Sequence, residues 1–319
     1  LRTSSYPLLA LALALGCTPP ASRTESDSAS CSNGRDDDGD TLIDCADLAC
    51  TVFPFCARDA GVLDAGADAP SDAPLPEGGL DAPVCTAPLD VVLVLDVSGT
   101  MDRELAAFRD ATGALFATAQ RLDPSAQISL VAFVDDVLLV NGCTPFATAE
   151  ALRTAIEAFR VTAPMNRNVA DPALPNRDCP ENSLDALFEA AARCPLRNGS
   201  TRVFVHATDD TFLERPGVLS GEWGGGVFVA SLYSEVQNAL TSRNIHFSAL
   251  AWSGAGEFCG AGTSPDVGRG FHADFGALPS LPVTTDGADA VVWDARGLGT
   301  TVDLSVELPA LLVRRHPCD

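Results

Sequence analysis

Asp90–Leu95 (DVVLVL) constrains the fold of this chain more than any other stretch. After one acid every position is apolar, with no polar alternation, so a strand formed here must bury both faces. Such a strand belongs in the middle of a parallel sheet covered by helices on both sides. The sequence downstream supports that frame. Met101–Arg121 carries Leu105, Phe108, Ala111, Leu115 and Phe116 at helical spacing. Ile128–Val134 and Val137–Val140 read as strands joined by a tight turn at Asp135-Asp136. Helices are expected over Thr148–Phe159, Asn182–Arg193, Val227–Ser242 and Val302–Val313. Strands are expected over Arg202–Ala207, Ile245–Trp252 and, at the edge, Ala290–Trp293. This alternation predicts an α/β fold with a doubly wound, mostly parallel sheet and one antiparallel strand.

The residues before this region are of a different kind. Residues 1–17 (LRTSSYPLLALALALGC) combine Arg2, an apolar run Leu8–Leu15 and the small Gly16, the organisation of a secretory signal. The run is too short to span a bilayer as a helix. Ala14-Leu15-Gly16-Cys17 resembles a bacterial lipobox, which implies acylation of Cys17; an ordinary signal peptide with an incidental cysteine is the alternative. Thr18, rather than Asp, after that cysteine resembles the outer-membrane sorting pattern. The expected location is therefore the bacterial cell envelope, lipid-anchored and at the outer membrane. Residues 18–30 form a polar tether, 31–56 a small cysteine module, 57–84 a disordered Ala/Asp/Pro linker and 85–319 the main domain.

Charge narrows the partners. Acidic residues outnumber basic ones 43 to 20, a net charge of −23. Phosphate backbones and anionic lipid surfaces would be repelled, which excludes nucleic acid and leaves membrane contact to the anchor alone. Such a chain suits the concentration of cations.

In a doubly wound sheet, ligands bind beyond the carboxyl ends of the strands, where the strand order reverses. Oxygen donors gather at those ends here. The first strand runs into Asp96-Val97-Ser98-Gly99-Thr100 and a later one into Thr208-Asp209-Asp210. Carboxylates and hydroxyls without His or Cys suit a hard divalent cation such as Mg²⁺, Ca²⁺ or Mn²⁺. Asp96 with Ser98 is also a common helix N-cap pattern.

DVSGTM after an apolar strand, with TDD after a later one, resembles the metal-ion-dependent adhesion site (MIDAS) of von Willebrand factor A (vWA) domains. The resemblance implies that Ser98 and Thr100 bind the metal directly, that Asp96 acts through water, and that Asp209 is a supporting carboxylate. Asn176-Arg177-Asp178-Cys179-Pro180-Glu181 further resembles the I-like domain of integrin β subunits, which implies Glu181 as another direct ligand. It also implies a neighbouring Ca²⁺ site of Asp135, Asn176, Asp178, the Pro180 carbonyl and Glu181. A helix-opening loop with Glu near the positive helix end is the plainer account of that string. Mg²⁺ or Mn²⁺ is the expected MIDAS ion. Arg103 and Glu104 stand where a third integrin-type site would need two acids, so none is expected.

The chain has 11 cysteines; setting Cys17 aside, four fall in 31–56 and six from Cys85 onward. Even sets in separate regions fit an oxidised, exported protein. Cys179 and Cys194 flank a helix of about a dozen residues, some ~18 Å at ~1.5 Å per residue, beyond the ~7 Å a disulfide spans. Topology therefore pairs Cys179 with Cys259 at the metal face, Cys143 with Cys194 at the opposite face, and Cys85 with Cys318 near the termini. In the small module, Asp36, Asp38, Asp40 and Asp44 resemble a thrombospondin type 3 or EF-hand-like calcium loop stapled by Cys31, Cys45, Cys50 and Cys56. A solvated acidic turn held by disulfides is the alternative there.

The leading expectation is a lipid-anchored adhesion or binding protein that recognises an acidic side chain of a protein or matrix partner through the metal. A structural envelope lipoprotein whose metals only stabilise loops is the second. An enzyme is not expected: no G-x-S-x-G or H-E-x-x-H motif occurs, and every cysteine has a candidate bridge. His206 and His246 fall in or beside strands, and His272 lies in the long loop 253–285. Phe212, Trp223 and Phe271 are candidate partner contacts, though core filling explains each equally well.

Overall fold

A computed structural model of the protein describes residues 87–316, apart from 177–179, 213, 216–217, 220–226, 254–255, 259–261 and 265–267. The chain opens with β1 (Leu89–Asp96), α1 (Asp102–Leu122), β2 (Gln127–Phe133) and β3 (Val137–Leu139). It continues through α2 (Ala149–Thr162), α3 (Ser183–Arg193), β4 (Thr201–Thr208), β5 (Val218–Leu219) and β6 (Val227–Phe228). The last elements are α4 (Tyr233–Ser242), β7 (Ile245–Ala251), β8 (Gly256–Phe258), β9 (Gly262–Ser264), α5 (Leu281–Asp286), β10 (Val291–Asp294) and α6 (Leu304–Arg315).

Every residue of β1 is buried, as its unbroken apolar run requires. The main sheet has six strands in the order β10-β7-β4-β1-β2-β3. All pairs are parallel except β2 with β3, which closes antiparallel over Asp135-Asp136 through Phe133 opposite Val137. The fold is therefore α/β and doubly wound. From β1 the chain winds to β2 on one side and later to β4 on the other, so the strand order reverses between β1 and β4.

Alternate β1 side chains serve two cores. Val91, Leu93 and Leu95 pack with Leu105, Phe108 and Leu115 of α1 and Leu308 and Leu312 of α6. Val92 and Val94 pack on the other face with Phe204, Phe247, Leu187 of α3 and Val236 of α4. Cys143 and Cys194 form a disulfide with a Cα–Cα distance of 5.2 Å. It lies toward the amino end of β2, where the Ser129 hydroxyl donates to the Cys143 carbonyl at 3.0 Å.

Two expectations need correction. Val227–Ser242 is not one helix: Val227–Phe228 pairs antiparallel with Val218–Leu219, and the helix starts only at Tyr233. The start is fixed by Glu235, whose carboxylate takes the Leu232 backbone N–H at 2.9 Å. The long loop 253–285 also holds a β8–β9 hairpin and the short helix α5. Neither carries enough periodic residues to stand out in the sequence.

Candidate metal centre

The parallel register brings two acidic loops together at the reversal point. Leu95 of β1 lies opposite Ala207 of β4, so Asp96 and Thr208 end the two strands side by side. Asp96 is fully buried. Its Oδ1 accepts the Ser98 backbone N–H at 2.8 Å and its Oδ2 accepts the Thr208 hydroxyl at 2.8 Å. Ser98 is nearly buried while Thr100 is exposed, and their hydroxyl oxygens stand 3.3 Å apart. The Thr100 hydroxyl donates to Asp209 Oδ1 at 3.1 Å. Asp96, Ser98, Thr100 and Asp209 are thus linked by hydrogen bonds into one group.

Glu181 joins them from another direction. Its backbone N–H donates to the Thr211 carbonyl at 3.1 Å, which ties residue 181 to the loop after β4. Glu181 is buried, and its Oε1 accepts from Asn176 Nδ2 at 3.0 Å. Its Oε2 is buried without a hydrogen-bond partner among the described residues. A buried carboxylate oxygen without a donor is costly unless a cation serves it. Asn176 Nδ2 also donates to Asn166 Oδ1 at 3.3 Å. Asn176 gives its nitrogen to Glu181 and Asn166, while its Oδ1 is buried without a hydrogen-bond partner among the described residues and is available to a cation.

The electrostatics point the same way. Burial and the Asp209 charge push Asp96 up to about 7. Burial and the charges of Asp96, Asp210 and Asp135 hold Glu181 well above the usual carboxylate range. Burial raises Asp209 as well. Among the described residues, no arginine or histidine forms a salt bridge to Asp96, Glu181 or Asp209. Crowding of like charges away from water raises carboxyl pKa values, and a cation or a proton relieves it. Three or more His, Cys, Asp or Glu side chains arranged as a metal cluster are not found among the described residues. The donor set is mixed, with two hydroxyls beside carboxylates, as hard divalent cations accept. The residues present fit such an ion.

The expected adjacent site is only partly within view. Asp135 is fully buried and its charge reaches Glu181. Asn182, from the residue before α3, donates from Nδ2 to the Asp135 carbonyl and to Asp185 Oδ2, each at 3.0 Å. Pro180 immediately precedes Glu181. Asp178 lies outside the described residues, as do Cys17, Cys85, Cys179, Cys259, Cys318, Trp223 and the module with Asp36, Asp38, Asp40 and Asp44.

Some participants escape the sequence. Thr208 bonds to Asp96 only because β1 and β4 are neighbours, which no local motif announces. Glu104, in the first turn of α1, is buried with its Oε1 accepting from Trp252 Nε1 at 3.5 Å; burial, and to a lesser degree the Asp209 charge, raises its pKa. Phe212 and Phe271 are buried core residues, packed edge-to-face with centroids 5.7 Å apart. Neither is placed for partner contact, because each fills the aromatic core beside Tyr233.

No protein-family profile matches the chain, and no curated protein sequence matches it. Among solved structures it is similar to proximal thread matrix protein 1 from the mussel byssus. One crystal form matches at 13% identity over 72% of this chain and 46% of that chain, with a TM-score of 0.42. A second structure of that protein matches at 14% identity over 71% and 47%, with a TM-score of 0.40. A third, described as having a zinc-occupied MIDAS motif, matches at 13% identity over 72% and 46%, with a TM-score of 0.44. The chain spans a little under half the length of these structures.

Proposed function

We propose that this domain is a metal-dependent binding module that recognises a carboxylate on a protein or matrix partner. The observation that carries this reading is Glu181: buried, with Oε2 lacking a hydrogen-bond partner among the described residues, and crowded by Asp96, Asp135 and Asp210. Ser98, Thr100 and Glu181 would hold a divalent ion, Mg²⁺ or Mn²⁺, with Asp96 and Asp209 placed to act through water. When bound, such an ion with neutral hydroxyl ligands keeps positive charge and offers a coordination position to an incoming carboxylate. Thr208 orients Asp96 through its hydroxyl, and Asn176 orients Glu181 through its amide. Thr100 and Asp209 stand at the exposed mouth, where a partner would arrive.

The neighbouring group of Asp135, Asn176, Asp178, Pro180 and Glu181 is proposed as a Ca²⁺ site that steadies the same loop. Export and lipid anchoring at Cys17, to the outer membrane, are proposed from the signal-like residues 1–17. No helix among the described residues is long and apolar enough to cross a membrane.

The test uses beads bearing aspartyl or asparaginyl peptides, the full chain, and Mg²⁺ or chelator. Retention on aspartyl beads alone, lost with chelator and with Asp96→Ala, is expected. Asp96→Ala that folds, as judged by circular dichroism, yet binds as well as wild type would favour the purely structural role for the metal.

A further inference from the structure

Beside the metal loop lies a cavity of about 600 Å³, lined by Val97, Phe159, Met165, Val169, Pro172 and neighbours from α2 and the loop after it. Its size lies within the roughly 300–1,000 Å³ typical of small-ligand pockets. Val97 stands between Asp96 and Ser98 in the metal loop, so the cavity and the metal group share a wall. A second link is close packing at Gly99, where an added Cβ would lie 3.3 Å from the Ala163 carbonyl and 3.4 Å from Asn166 Oδ1.

Much of the cavity wall is apolar, with Val97, Phe159, Met165, Val169 and Pro172 among its lining. Met165 is 67% exposed, so an apolar side chain stands open to solvent at the cavity. The wall is also held in place. The Asp136 carboxylate accepts the backbone N–H groups of Val169, Ala170 and Asp171 at 2.7, 3.0 and 2.8 Å. Asn168 and Leu174 close the same loop through a backbone bond of 3.0 Å. A preorganised apolar wall lowers the ordering cost of a ligand.

The charge around the cavity selects among occupants. Arg167 lines it, is exposed, and forms no ion pair among the described residues. An acidic peptide therefore meets one arginine in the lining as well as the metal group, in a chain that at −23 otherwise repels it.

We infer that the cavity is a specificity pocket for the partner: it receives a bulky apolar side chain adjacent, in the partner's sequence, to the carboxylate that reaches the metal centre. The pocket's role rests on the metal-dependent reading of the neighbouring site. The ligand class is thus an acidic–apolar peptide element and not a carboxylate alone.

The experiment titrates capped peptides containing Asp-Phe, Phe-Asp, Asp-Gly or Asn-Phe onto immobilised full chain, in Mg²⁺ and then in chelator. One of the two Asp and Phe orders is expected to bind about tenfold or more tightly than Asp-Gly. Ala158→Trp and Ala173→Glu, at exposed wall positions, are expected to abolish that advantage while leaving Asp-Gly binding within about twofold. Equal binding of Asp-Phe, Phe-Asp and Asp-Gly overturns the pocket and leaves the metal reading standing. Tight binding of Asn-Phe, or binding that survives chelator, overturns the metal reading and the inference with it. Failure of every peptide to bind counts against both.

Discussion

Thr208 donates its hydroxyl to Asp96 Oδ2 at 2.8 Å, across the boundary between two parallel strands that are 112 residues apart in sequence. The same hydroxyl accepts the Asp210 backbone N–H at 3.1 Å, so one side chain positions both acidic loops. Thr208→Val keeps a β-branched residue in the strand and removes only the hydroxyl. Metal affinity is expected to fall about ten- to a hundredfold, with far-ultraviolet circular dichroism unchanged. Unaltered affinity would show that Asp96 needs no such support.

His206 has no exposed surface; it stacks on Phe133, with ring centroids 5.4 Å apart, and packs at a tilt against Phe271, at 4.6 Å. Burial pulls its imidazole from 6.5 down to about 3. Between those values the unfolded chain binds a proton that the folded chain refuses, so His206 makes the domain lose stability as pH falls below 6.5. His206→Phe keeps the aromatic stack and removes the titration. Over that window its stability is expected to decline less steeply than that of wild type, by up to about 1.4 kcal/mol per pH unit. Parallel urea-denaturation curves for the two proteins at each pH would contradict the assignment.

The Cys143–Cys194 bond spans 51 residues and lies away from the carboxyl ends of the strands. Replacing both cysteines by alanine is expected to cost about 2–4 kcal/mol of stability. Mg²⁺ affinity, measured well below the lowered melting temperature, should stay within about twofold. A large loss of affinity would mean that the bond shapes the site directly.

Gly270 adopts φ +90°, and a Cβ there would lie 2.6 Å from Phe212 and 2.9 Å from Tyr233. The Tyr233 hydroxyl donates to the Gly270 carbonyl at 2.8 Å, so the chain cannot simply move away. Gly270→Ala is expected to destabilise by about 1–3 kcal/mol through backbone strain and overpacking. Thermal denaturation at wild-type temperature would refute this.

Much of the architecture was legible because its determinants are local. The DVVLVL run demands burial on both faces, and α1 repeats its apolar residues with helical period. Asp96, Ser98 and Thr100 could be named together because they share one loop. Asp209 could be set beside them as a strand-end acid, whereas Glu181 could be added only through resemblance, since its approach to that loop depends on the strand order. The bond from Thr208 to Asp96 and the burial of Glu104 were not legible. The first depends on register between distant strands, and the second on which way α1 turns Glu104. Phe212 and Phe271 sit in loop sequence yet fill the core, because irregular segments can fold back over a sheet end with no periodic signal. The start of α4 was missed for a similar reason: Val227–Phe228 has the apolarity of a helix face but pairs as a strand.

Asp96, Ser98, Thr100, Glu181 and Asp209 are proposed to form a divalent-cation site. The most direct measurement is calorimetric titration of Mg²⁺ and Mn²⁺ into the chelator-treated full chain, beside Asp96→Ala and Glu181→Ala. Saturable binding by wild type, abolished by Asp96→Ala and weakened at least about tenfold by Glu181→Ala, is the result this account expects. Binding unchanged in Asp96→Ala, or no heat in wild type with either ion, would contradict it.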